Sequence, residues 1–65
     1  METIQISLAA ARINAELTQR DVCEALDVSQ ATVSNWEKYA TEPTVGQARK
    51  LAKLYGIPWD MIRWA

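Results

Sequence analysis

Two helix starts written in the same local grammar follow one another in the first half of this chain. At the first, Thr18 stands where an N-cap hydroxyl accepts the backbone N–H of the third helical residue. Asp21 is that third residue, as in a capping box. Leu17 before the cap and Val22 after it have the spacing of a hydrophobic staple. At the second start Ser29 is the cap, and Val28 and Val33 are the staple. Two such patterns in close succession leave room only for a tight turn between two short helices.

Val22, Leu26, Val28, Val33 and Trp36 then fall where two crossed helices share one small core. Between the helices, Asp27 sits where the first should end in a left-handed residue. Glycine is best there, and Asp tolerates that region better than most side chains. This layout is a helix-turn-helix. The unit's commonest use is to place its second helix in the DNA major groove.

The rest of the chain reads as three more helices with short links. The first spans residues 4–15, with Ile4, Leu8, Ala11 and Ala15 as its inner stripe. Residues 39–42 form a loop punctuated by Pro43. Thr44 with Gln47 is a further capping-box match, and the fourth helix runs to Tyr55 and stops at Gly56. Its inner face carries Leu51 and Leu54, with Ala48 and Val45 as smaller partners. A last short helix starts near Pro58, holds Asp60 in its first turn and reaches the terminus. The expected fold is all-α with five helices, formed by residues 1–65 as one domain. A domain of 65 residues buries only about 60% of its unfolded surface, which implies modest stability.

Composition excludes several function classes. Cys23 is the only cysteine, so no internal disulfide can form, and there is no histidine. Zinc sites of Cys and His and catalysis by Ser-His or Cys-His pairs are therefore ruled out. The acidic residues are scattered over helix surfaces, and so small a fold leaves little room for a cleft. No enzyme activity, cofactor, metal or small-molecule substrate is expected. No apolar run approaches the ~20 residues of a membrane span. The first residues, METIQISLAAARI, lack the basic segment of a secretory signal, so a cytoplasmic location is expected by default. The formal net charge is −1, which sits awkwardly with nucleic-acid binding, but local distribution matters more than the total.

Helical periodicity divides the third helix, residues 30–38, into two faces. Gln30, Ala31, Ser34 and Asn35 occupy one side, and Lys38 returns to it one turn later. Val33 and Trp36 point to the other. Gln and Asn can each bond adenine at N6 and N7, and Ala31 lets the backbone come close. The same polar residues would also suit an ordinary solvated helix face.

With these residues in view, the chain resembles the phage repressor and Cro class of helix-turn-helix domains, the lambda-repressor-like or Xre type. The resemblance runs through LTQRDVCEALDVS, ATVSNWE, EPTV, LAKLYGI and PWDMI in that order. It implies five helices, with the second and third binding double-stranded DNA. It implies that Gln30, Ala31 and Asn35 read bases. Thr18, Gln19 and Lys38 match backbone-contacting positions, and Thr32 and Ser34 flank the base readers at the phosphates or a thymine methyl. Gln19 would also brace the first residue of the recognition helix. Arg12 and Glu37 match a buried ion pair that ties helix one to helix three in some relatives. Three residues depart from the pattern. Cys23 replaces a usual alanine as a small packing residue, and Asp27 replaces the usual turn glycine. The loop at Ala40, Thr41 and Glu42 lacks the basic residues many relatives hold against phosphate.

The expected function is a sequence-specific regulator of transcription, a repressor of phage or mobile-element type. The alternative is a protein-interaction module of the same fold, antitoxin-like or an antirepressor. The low charge and the tryptophan-rich end, WDMIRWA, favour that alternative. Trp59, Met61 and Trp64, with Ile57, are the candidate surface for a weak homodimer that forms mainly on DNA.

Overall fold

The computed structural model describes residues 4–65. The first three residues, part of the segment read for a targeting signal, lie outside the described residues. Among the described residues there are four α-helices: α1 (Leu8–Asn14), α2 (Gln19–Leu26), α3 (Gln30–Glu37) and α4 (Val45–Tyr55). A single 3-10 turn, Trp59–Met61, follows. No helix among them is long and apolar enough to cross a membrane.

Every α-helix opens on a hydroxyl. Ser7, Thr18, Ser29 and Thr44 each accept the N–H of the third helical residue. Thr18 with Asp21 and Thr44 with Gln47 complete reciprocal capping boxes. At Ser29 the third residue is Thr32, and the two hydroxyls share a hydrogen bond of 2.9 Å.

Every α-helix also closes in the same way. Glu16, Asp27, Tyr39 and Gly56 adopt positive φ of 60°, 56°, 59° and 68°. The N–H of the next residue then reaches back to a carbonyl five residues earlier: Leu17 to Arg12, Val28 to Cys23, Ala40 to Asn35 and Ile57 to Ala52. These are Schellman closures. Leu17, Val28 and Ile57 pack against the core, which supplies the hydrophobic contact the motif favours. Only one of the four left-handed positions is a glycine.

The core is a single cluster. Leu8 and Ala11 enter from α1, Val22 and Leu26 from α2, Val33 and Trp36 from α3, and Leu51 and Tyr55 from α4. Ile62 completes it and is fully buried. Each large apolar side chain so buried contributes roughly 1.5–3 kcal/mol relative to exposure.

Three expectations from the sequence are corrected. The first helix begins at Leu8, and Ile4 is 79% exposed instead of lying on an inner stripe. Ser7 caps the helix, and Ile6 before it belongs to a bridge and not to a helical turn. Second, the fifth helix is only the 3-10 turn. Ile62 turns extended and pairs in parallel with Ile6: Ile6 N–H donates to Met61 O, and Arg63 N–H donates to Ile6 O. Seven residues are too few for a self-supporting helix, and the bridge offers their backbone another partner. Third, Val45 is 66% exposed, because the first residue of α4 projects beyond the end of the core.

Tyr39 fastens this two-ended clip. Its hydroxyl accepts the Leu8 N–H at 3.2 Å and donates to Arg63 O at 2.8 Å. The Arg63 guanidinium lies 5.1 Å from the ring centroid. The left-handed backbone at Tyr39 is thus offset by what the side chain holds. Asp27 has no such compensation, since none of the side-chain hydrogen bonds among the described residues involves it. Asp27→Gly should therefore raise stability by up to about 1 kcal/mol. Tyr39→Gly should lower it by about 2 kcal/mol or more, despite the same relief of backbone strain. Denaturant midpoints of the two variants check this. A shift of the same sign in both would contradict it.

Candidate nucleic-acid interface

The exposed side of α3 carries Gln30, Ala31, Asn35 and Lys38, with Ser34 half-buried among them. Ala31, Asn35 and Lys38 follow one another at helical spacing and share one face. Val33 and Trp36 hold the opposite face in the core. The Asn35 carbonyl caps the end of the helix by accepting the Ala40 N–H, while its side chain is exposed. Thr32 is half-buried, and its hydroxyl is engaged with Ser29.

The start of α2 lies beside this surface. Thr18 is exposed, and its hydroxyl accepts the Asp21 N–H. The Asp21 carboxylate in turn accepts the Thr18 N–H at 2.8 Å. That backbone bond, with the Thr18 hydroxyl second, holds the Asp21 carboxyl below the usual carboxylate range. Gln19 is half-buried because it reaches inward to α3. Its Nε2 donates to Glu37 Oε1 at 3.0 Å, and its Oε1 faces Gln30 Nε2 at 3.5 Å.

Behind the surface lies one ion pair. Arg12 Nε donates to Glu37 Oε2 at 2.7 Å, and Arg12 Nη2 donates to Oε1 at 3.3 Å. The two side chains are only 16% and 9% exposed. Arg12 Nη1 also donates to Leu17 O, so the same guanidinium shapes the turn into α2. Among the described residues no buried side-chain nitrogen or oxygen lacks a partner. The bond to Glu37 raises the Arg12 pKa further above its already high ordinary value. The charges thus hold α1, the start of α2 and the end of α3 in one arrangement.

The chain matches the helix-turn-helix family model over residues 8–62. It belongs to the Xre/Cro-like helix-turn-helix family. Members of this family are DNA-binding transcription regulators and not enzymes. No curated protein was found to match the chain. For a helix-turn-helix domain its free positive charge is sparse near α3, where Lys38 is the one basic residue of the exposed face. On α2, Arg20 lies 3.4 Å from Glu24, and both are well exposed, so this pair contributes little to stability.

In the C-terminal segment the Trp59 and Trp64 rings pack in a tilted pair, with centroids 4.7 Å apart. The Trp64 indole N–H donates to Trp59 O. With Pro43, Val45 and Ala48 they line an open apolar groove of about 200 Å³. Val45 was missed as a surface residue because helical periodicity alone put it inside. Met61 is 42% exposed but does not line the groove, and Ile57 is half-buried against the core. The groove therefore joins the C-terminal turn to the start of α4, instead of lying on a C-terminal helix.

Tyr55, beneath the ion pair, has its pKa pushed up from 10.0 to about 12, first by burial and then by the Glu37 charge; Arg12 pulls the other way. Between these values the unfolded chain gives up the phenol proton while the folded chain keeps it. Folding stability should therefore fall as pH rises through that window. Tyr55→Phe should fall less. Urea midpoints at about pH 9 and about pH 11.5 for both proteins check the difference, and lysine titration cancels in the comparison. Equal losses would contradict the burial of the hydroxyl.

Proposed function

We propose that residues 1–65 act as a single Cro/repressor-type domain that binds an operator in double-stranded DNA and represses transcription, in a phage or mobile-element setting, in the cytoplasm. The observation that carries this reading is the exposed face of α3. It presents amides and small side chains on a helix whose other face is locked into the core. In the proposed complex α3 lies in the major groove. Gln30 and Asn35 bond base edges, and Ala31 lets the helix approach and meets a thymine methyl. Thr18, Gln19, Ser34, Lys38 and the first amides of α2 fix the helix against phosphates. Thr32 contributes through its methyl or its remaining hydroxyl capacity.

A single short helix reads too few base pairs to select one site in a genome. We propose that two copies pair through Trp59, Trp64 and Val45, with Met61 at the margin. The contact is small, so the dimer is populated mainly on DNA, where two half-sites tether the subunits.

An operator selected from a random duplex library, followed by gel shifts at several salt concentrations, tests the proposal. Asn35→Ala should cost about 1–3 kcal/mol on the selected site and relax preference at one base pair. Lys38→Ala should weaken all sequences alike and flatten the salt slope by about one unit. Trp59→Ala should keep the fold and lose operator affinity together with the dimeric shift. A domain that serves only protein partners would bind duplex DNA weakly at any salt. Unchanged base preference in Asn35→Ala would contradict the docking of α3.

A further inference from the structure

We infer that Glu37 is a specificity-positioning residue: its carboxylate sets the direction of a hydrogen-bond chain through Gln19 and thereby which atom of Gln30 faces the DNA. The inference rests on the reading that Gln30 contacts bases.

Donor and acceptor inventories fix the direction of this chain. An ionised carboxylate only accepts, while an amide carries an acceptor on one side and donors on the other. Glu37 is held by two Arg12 donors, and its Oε1 is 3.0 Å from the Gln19 amide. The Gln19 atom facing it must therefore be Nε2. Its Oε1 is then turned away, toward Gln30, at 3.5 Å. An oxygen there attracts the Gln30 NH₂ group and repels the Gln30 carbonyl. Gln30 Nε2 is drawn inward, and its Oε1 is directed outward.

The result is a Gln30 amide with one N–H committed to the protein. One N–H and the carbonyl oxygen remain. That donor and acceptor match the adenine major-groove edge, where N7 accepts and the N6 amino group donates. Guanine offers two acceptors, O6 and N7, and suits the flipped amide that presents both of its N–H groups. The carboxylate at Glu37 thus favours adenine over guanine at a base it never touches. The selection passes through two neutral side chains and costs no new contact.

Glu37→Gln inverts the constraint. The substituted amide keeps its oxygen on Arg12 and turns its NH₂ toward Gln19, which reverses the chain. Gln19→Met interrupts the chain and leaves the ion pair intact. Affinities of each protein for duplexes carrying adenine or guanine at the Gln30-dependent position give a ratio in which any loss of folded protein cancels. That position is located as the one where Gln30→Ala alone flattens the wild-type preference. The adenine-over-guanine ratio should drop about tenfold in both Glu37→Gln and Gln19→Met. A ratio retained in either variant overturns the inference while leaving Gln30 as a base reader. A wild type with no Gln30-dependent preference at any position overturns both readings. Should Glu37→Gln not fold, side-chain amide NMR of the wild type takes its place. Slow exchange of one Gln19 Nε2 proton is expected, and two rapidly exchanging protons overturn the inference.

Discussion

The rest of the molecule is arranged around the Arg12–Glu37 pair. Neither charge is fully withdrawn from water, but both lie close to the interior, where an unpaired charge is costly. Breaking such a pair by removing one partner typically costs about 3–5 kcal/mol, a large share of what a domain this small can hold. The pair is therefore a condition of folding more than a source of stability. Its geometric consequence is larger than its energy. Through the Leu17 carbonyl it sets the turn from α1 into α2, and through Gln19 it sets the approach of α2 to α3. The surface offered by α3 is thus assembled before any ligand arrives.

Backbone closure does the complementary work. Four short helices need eight ends satisfied, and each end is closed by a local device: a hydroxyl at the start and a left-handed residue at the stop. Helices of this length are marginal alone, so their ends matter as much as their faces. The last constraint is the bridge between Ile6 and Ile62, with the Tyr39 hydroxyl bonded to both of the segments it joins. It buries Ile62 and leaves Trp59 exposed beside a half-buried Trp64.

What was legible in the sequence was local. Thr18, Ser29 and Thr44 announce helix starts because the capping residue and its partner lie three positions apart. Asp27 and Gly56 announce stops because their types tolerate positive φ. Glu16 and Tyr39 give no such signal, since neither residue type favours positive φ, and the bonds that hold Tyr39 come from segments far away in the chain. The alternation Ile4, Ile6, Leu8 against Gln5 and Ser7 was a strand-like signal, whereas Met61-Ile62-Arg63-Trp64 carries no clean alternation. That signal is too short to outweigh helical periodicity until the two segments are seen to pair. The candidate site divides the same way. The faces of α3 follow from its period, and the Arg12–Glu37 pair follows from the family resemblance. That Glu37 also holds Gln19 required three elements to be placed in space.

Arg12 and Glu37 act as a unit. A double-mutant cycle on the two residues, read by denaturant unfolding of Arg12→Met, Glu37→Met and the double variant, measures that directly. The expected result is a coupling of about 2 kcal/mol, with the double variant more stable than the sum of the single losses implies. Additivity within about 0.5 kcal/mol would contradict it, because the two charges would then stabilise the fold independently.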